Sequence, residues 1–412
     1  MTVATRAIFT GGAAAPDVPV ADYTAAPEGG INPWAIPGAL QYGGKTFVGY
    51  VDGQSGDIDA FAVDTAGTVS GPYTVESAYQ ADAHTSPALL RRVSDGRLII
   101  LYAKHAPDQQ DVQVRVSTNP DDVSSWGSAT NIHSQLGGDE YADYQLWEYD
   151  GTLYLFFRHE LNGVQDSYWS LSTTSASTPT SGWSTKSTVF RIAGTRSYVI
   201  TRLDPNNGIL YFATTSSASG GYTDMGAFYY DLASETYHTS DGTDITSSVP
   251  LGFADITTVY EGTSLVFPNN IAIGLDGYPV ISGWDTISSS FRYLWHRWNG
   301  SSWDTANVAS GNDGYQYNEG GSYQHYGSQV DDRDVNRLWV IEEVSGQPEV
   351  ATYYTRDNGT TWERRTVTST SSGLVVQLIA VRDPHRTLRV LWHEGTWTDY
   401  DDYSLALSGA GF

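Results

Sequence analysis

The sequence predicts an all-β protein, a seven-bladed β-propeller with four-stranded antiparallel blades. Three observations lead there. A strand pattern rich in Leu, Ile, Tyr and Phe returns roughly every 50 residues, a period typical of propeller blades. A tight-turn pair such as Asp-Gly precedes each return. The composition is aromatic and Gly-rich, with 28 Tyr, 13 Trp and 42 Gly, which favours strands and turns over helices.

The blades read in order. The first turns at Gly43-Gly44 and runs through Thr46 to Tyr50. The second turns at Asp95-Gly96 and runs Leu98 to Tyr102. The third has Asp150-Gly151 and Leu153 to Phe157, and the fourth Asn207-Gly208 and Ile209 to Phe212. The fifth has Asp276-Gly277 and Pro279 to Ile281. The sixth turns between Asp334 and Asn336 and runs Leu338 to Ile341. The seventh turns at Pro384-His385 and runs Leu388 to Trp392. Thr355 to Trp362 reads as an Asp-box, with looser relatives ending at Trp126, Trp183 and Trp303. These are expected to be outer-strand turns with a structural role. No linker divides residues 1–412, so one domain is expected, with 1–25 an extended segment or part of blade closure. The polar stretch Ser216 to Thr246 reads as an elaborated outer part of the fourth blade.

Formal net charge is -25, and the only lysines are Lys45, Lys104 and Lys186. Such a surface argues against nucleic acid or an anionic membrane as partner. It also opposes a polyanionic substrate, unless a local basic pocket overrides the global field at short screening length. With 0 Cys, disulfides, thiolate catalysis and Cys-ligated zinc are excluded. Residues 1–19 show no sustained apolar run of the signal-peptide kind, and no segment is long enough to span a bilayer. An extracellular, monomeric protein is nevertheless the expectation.

Hairpin geometry directs the search for chemistry. The start of a blade's innermost strand and the end of its second strand lie at one end of the propeller. In the second blade these places hold His84 and His105, with Lys104 beside the latter. In the third they hold Tyr144 and Arg158, and the fourth opens with Arg196-Ser197-Tyr198. Each residue alone has a structural explanation. A lone His or Tyr usually packs, and Arg158 could pair with Asp143 or Glu160. The same two positions occupied in consecutive blades make the set a candidate site.

Those ingredients suit β-elimination on a uronate. The C5 proton becomes removable once a cation such as Arg neutralises the adjacent carboxylate. A base then takes the proton and an acid serves the departing O4, roles open to His and Tyr. Hydrolysis by the usual route needs two flanking carboxylates. Asp82 and Asp143 come nearest, but sit one or two residues off the inward positions. A sialidase would need three arginines, and only Arg158 and Arg196 are well placed.

At these residues the sequence resembles the seven-bladed propeller ulvan lyases and related lyases of rhamnose–glucuronate polysaccharides, within the BNR-repeat superfamily. The match is carried by His84-Thr85-Ser86-Pro87 with Tyr102 to His105, by Tyr144 with Leu153 to Arg158, and by Arg196-Ser197-Tyr198. It spans blades two to four. The resemblance implies that His84 and Tyr144 exchange protons with substrate, which of them is base being open. It implies that Arg158 neutralises the uronate, assisted by His105 and Tyr198. It implies an acidic polysaccharide as partner and no required cofactor, and no metal is carried over. A rhamnosidase branch of the superfamily keeps hydrolysis open, and a non-catalytic carbohydrate-binding propeller is the third reading.

Arg196, Lys104 and His325 are expected to contact substrate, the last as the opening of the sixth blade. His296 reads as outer-blade packing. Trp34 and Trp284 are candidates for sugar stacking, although Trp usually packs. The run Asp399 to Asp402 could hold a structural calcium, but forms no clear motif and reads better as a solvated face.

Overall fold

A computed structural model describes residues 20–26, 29–30, 35–105, 111–138, 140–160, 167–192, 197–216, 223–263, 265–287, 290–311, 317–319, 322–324, 327–369, 374–385, 388–399 and 402–411. Among them seven four-stranded antiparallel units follow one another. Blade 1 comprises Ala39–Tyr42, Lys45–Asp52, Ile58–Asp64 and Val69–Glu76. Blade 2 comprises Ala88–Arg91, Arg97–Ala103, Val112–Pro120 and Thr130–Asn131. Blade 3 comprises Glu140–Tyr149, Thr152–Glu160, Ser167–Ser175 and Ser187–Ile192. Blade 4 comprises Val199–Asp204, Ile209–Thr215, Asp224–Asp231 and Thr236–Thr239, with Thr257–Glu261 added against its third strand.

Blade 5 comprises Val266–Ile273, Pro279–Ile287, Ser290–Trp298 and Trp303–Gly311. Blade 6 comprises Ser328–Val330, Arg337–Val344, Gln347–Tyr354 and Glu363–Thr366. Blade 7 takes Leu374–His385, Leu388–Asp399 and Asp402–Gly411, and Val20–Ala26 pairs antiparallel with the last of these as its outer strand. Each blade packs on the next, and the innermost strand of blade 7 packs on blade 1, so the ring closes. Leu40 and Arg382 are parallel partners at that seam. No helix among the described residues is long and apolar enough to cross a membrane.

The turns fold for local reasons. Gly43-Gly44, Asp150-Gly151 and Ser345-Gly346 have positive φ at both positions, the requirement of a two-residue hairpin matched to strand twist. The Asp-box segment turns between the third and fourth strands of blade 6. The Asp357 carboxylate accepts from the Thr361 N–H (2.8 Å), and the Trp362 indole donates to the Gly359 carbonyl (3.1 Å). Trp126 and Trp183 bond carbonyls three and four residues back in the same manner.

Large buried side chains fill the spaces between blades, among them Trp169, Trp284, Trp295, Trp339 and Trp392. Inner strands are stitched by buried amides. Gln145 donates to the Val199 carbonyl (2.6 Å) and Asn270 to the Val330 carbonyl (3.0 Å). The segment Ala35 to Gly38 lies against the inner strands. The Ile36 N–H bonds the Tyr144 carbonyl (3.0 Å), the Leu146 N–H returns to Ile36 (2.8 Å), and Leu89 donates to Pro37 (2.8 Å). It therefore fixes the backbone of blades 2 and 3 at the residues that carry the candidate site.

Candidate active site

In blade 2 the strand begins at Ala88, later than its polarity suggests, and Ala83–Thr85 form a single 3-10 turn before it. Asp82 caps this turn. Its Oδ1 accepts from the His84 backbone N–H (2.8 Å) and from His84 Nδ1 (2.9 Å). Its Oδ2 accepts from His105 Nδ1 at 2.8 Å. The two imidazoles stack with centroids 4.1 Å apart and planes 19° from parallel. The carboxylate side chain is 4% exposed, against 10% for His84 and 20% for His105. Burial works against an ionised Asp82. The hydrogen bonds from His105 and His84 outweigh it and hold the carboxyl well below the ordinary carboxylate range.

The neighbours of this trio are themselves fixed. The Thr85 hydroxyl donates to the Asp82 carbonyl (2.7 Å) and the Ser86 hydroxyl to the Ala83 carbonyl (2.6 Å). Gln80 clamps the His105 backbone, accepting from its N–H (2.9 Å) and donating to its carbonyl (3.3 Å). Lys104 stands 5.4 Å from the Tyr79 ring centre. Tyr79 links this group to the next blade. Burial raises its phenol pKa first, and the Asp111 carboxylate and the Tyr144 phenol add to the shift.

In blade 3 a β-bulge carries the chemistry. Ala142 pairs with Arg158 and Gln145 with Phe156, so Asp143 and Tyr144 together oppose Phe157. Asp143 takes φ 57°, a left-handed conformation unusual for a non-glycine residue. Bulges of this kind redirect side chains. Here Asp143 Oδ2 receives Arg158 Nε at 2.7 Å, with side-chain exposures of 0% and 6%. Tyr144 is buried and stacks on Phe157 at 6.4 Å. Tyr198, just before the inner strand of blade 4, puts its ring centre 5.9 Å from the Arg158 guanidinium. Its N–H bonds Thr215 Oγ1 at 3.4 Å.

The expected residues thus fall on neighbouring blades: His84 stacks on His105 in blade 2, Arg158 pairs with Asp143 and faces Tyr198, and Tyr144 follows Asp143 in the bulge against Phe157. Arg196 and His325 lie outside the described residues, as do the side chains of Trp34 and the Asp399 to Asp402 run. Trp284 is fully buried and unavailable for stacking on sugar. His296 is buried in blade 5 and bonds Thr305 Oγ1 at 2.9 Å.

Asp82 and Asp143, one or two residues off the inward positions, organise both groups. The Asp143–Arg158 pair is one of the two pairings the sequence offered for Arg158, while the role of Asp82 was signalled only by its adjacency to His84.

Asp82, His84 and His105 each bring one ligand-type atom within 4.8 Å of the others. A metal ion there would compete for atoms that already meet as hydrogen-bond pairs. Two nearly parallel stacked rings also fit a shared carboxylate better than a tetrahedral shell. An aromatic cavity of about 210 Å³ lies between blades 4 and 5, lined by Tyr211, Tyr229, Tyr278, Trp298 and Trp303. It sits where second strands begin, the end opposite the candidate site.

Fold and site together define a β-propeller protein with a polar cluster at one end of its blades. Residues 45–311 match the profile of the BNR repeat-containing family, and the chain belongs to that family. No curated protein sequence matches it. Among solved structures it is similar to a PL25 ulvan lyase, at TM-score 0.72 and 15% identity over 95% of this chain and 96% of that one. The same figures hold for that lyase bound to -[GlcA(1-4)Rha3S]-. It is also similar to the polysaccharide lyase Uly1, at TM-score 0.58 and 12% identity over 92% and 90%. These likenesses establish a shared fold.

Proposed function

We propose that this protein is a polysaccharide lyase that cleaves a uronate-containing polysaccharide of the ulvan type by β-elimination. The observation that carries the reading is the commitment of both buried acids. Asp82 is bound by two imidazoles and Asp143 by the Arg158 guanidinium. Among the described residues these two acids are engaged by the cluster itself, which counts against their serving as the two flanking carboxylates of the hydrolytic route. What remains is a set of imidazoles, phenols and one guanidinium, the set that elimination uses.

In this reading Arg158, with Tyr198 beside it, meets the uronate carboxylate and stabilises the enolate-like intermediate. His84 and Tyr144 move the protons. The C5–H bond breaks, its electron pair forms the C4–C5 double bond, and O4 leaves with a proton from the acid. Where the C5 proton and O4 lie on opposite faces of the ring, His84 and Tyr144 divide base and acid. Where they lie on one face, Tyr144 can serve both. His105, Lys104 and Arg196 support binding, and His325 contributes to a neighbouring subsite. The chemistry needs no cofactor or metal. The protein acts as a monomer outside the cell. The similarity in fold to lyases of this substrate class supports the reading.

The test is incubation with ulvan under ultraviolet detection. Elimination creates a conjugated, absorbing uronate, and absorbance should rise as the polymer shortens. Shortening or rhamnose release without absorbance would overturn the reading in favour of hydrolysis, and binding without product would leave a carbohydrate-binding propeller.

A further inference from the structure

The lyase reading assigns work to His84 and His105 but leaves open how two half-buried imidazoles hold the protonation pattern that work requires. The geometry around Asp82 answers this. An ionised carboxylate only accepts hydrogen bonds. Each of its oxygens meets the Nδ1 atom of one imidazole, at 2.9 Å for His84 and 2.8 Å for His105. Both Nδ1 atoms must therefore carry protons. In each neutral ring the lone pair then resides on Nε2.

We infer that Asp82 is a positioning residue that sets His84 and His105 in one tautomer, Nδ1–H, leaving Nε2 of both rings as the basic atom. It rests on the lyase reading only for the claim that these rings act on substrate. The arrangement is preorganised. The turn that Asp82 caps fixes His84, and the Gln80 clamp fixes His105. The stacked contact at 4.1 Å keeps the rings side by side on their shared carboxylate. The two carboxylate oxygens serve the rings separately, Oδ1 taking His84 and Oδ2 taking His105.

Asp82→Asn tests this, since it keeps the shape and the turn cap. Asn offers one acceptor and one donor. It can receive Nδ1–H from one ring, but its NH2 group forces the other ring to carry its proton on Nε2. Long-range 15N–1H spectra of the full protein at pH 8 should show unprotonated Nε2 at His84 and His105 in the wild type. In Asp82→Asn at least one ring should switch to Nε2–H. With ulvan as substrate, kcat should fall by about 10³-fold or more, as a wrong tautomer costs in other histidine enzymes, with KM changed less than about 3-fold. Asp82→Glu should recover part of the rate.

An Nε2–H signature at either ring in the wild type would overturn the inference, and so would zinc bound stoichiometrically through Nδ1. An unchanged tautomer pattern in Asp82→Asn would also overturn it. The spectra need no turnover, so they test the inference even if ulvan is not cleaved. Failure of the wild type to generate absorbance would count against the lyase reading alone.

Discussion

The His84 and His105 rings lie 4.1 Å apart and 19° from parallel, although 21 positions separate them in the chain and each belongs to a different side of one hairpin. Their contact brings both imidazoles of the candidate site together in blade 2. If His84 and Tyr144 are the proton-transfer pair, His84→Ala and Tyr144→Phe should each lower kcat on ulvan by about 10²–10⁴-fold, the usual contribution of general acid–base catalysis. Tyr144→Phe keeps the ring that stacks on Phe157, so its thermal midpoint should stay near wild type. Ultraviolet initial rates and a melting curve on the same samples separate chemistry from folding.

Arg158 and Asp143 form a buried ion pair, and the two partners should behave unequally. Arg158→Ala leaves the Asp143 carboxylate buried without its cation, which should cost about 3–5 kcal/mol of stability. Arg158→Met combined with Asp143→Asn removes both charges and should recover much of that loss. If Arg158 neutralises the substrate carboxylate, both variants should also be inactive. Urea denaturation and ultraviolet assay of the three proteins decide it. Full stability in Arg158→Ala would show that the pair is not buried as described.

The blades were legible in the sequence because turn chemistry and strand length repeat, and a hairpin's two ends are fixed by antiparallel pairing. That sufficed to bring His84 to His105 and to put Tyr144 and Arg158 on the two paired strands of one hairpin. The Asp143–Arg158 pairing was legible as one of two options, but the place of both acids in the site was not, because strand alternation assumes unbroken strands. Asp82 lies in a 3-10 turn before the strand, and Asp143 takes a left-handed conformation inside a bulge that sets two residues against one. Both irregularities shift the count by a residue or two, the offset that made these aspartates look misplaced. Asp82 then meets both histidines through a cap, and Asp143 meets Arg158 through the extra bulge residue.

Two histidines outside the site should govern acid stability. Burial pushes the imidazoles of His296 and His393 down to about 3. Both stay neutral in the folded protein, while the unfolded chain takes up protons below about pH 6.5. Their contribution is therefore complete above about pH 6.5 and is lost as pH falls toward 3. At pH 5 the loss is about 2 kcal/mol per residue, from about 1.5 units of difference. His393 makes no hydrogen bond through either ring nitrogen, so His393→Met should be neutral or stabilising at pH 7.5 and should flatten the fall between pH 7.5 and 5. Urea midpoints at the two pH values measure this, and an equally steep fall in His393→Met would exclude His393 as a source.

If ulvan is the substrate, salt should speed its cleavage before slowing it. The chain carries a net charge of -25, and a sulfated or uronate polymer approaches against that field. At about 0.01 M ionic strength the screening length is about 30 Å, so the whole surface repels the substrate. At about 0.15 M it falls to about 8 Å, which hides distant acids but spares contacts made within the site. The Arg158 charge acts at contact range inside a buried cluster, where screening is weak. kcat/KM on ulvan should therefore rise several-fold from 0.01 to about 0.3 M NaCl, chiefly through KM, and decline only at much higher salt. The thermal midpoint of the protein measured over the same salt range should change little, which separates field repulsion from any salt effect on the fold. A monotonic fall in kcat/KM from the lowest salt would instead mean that long-range attraction dominates, and would place an unrecognised basic surface along the substrate path.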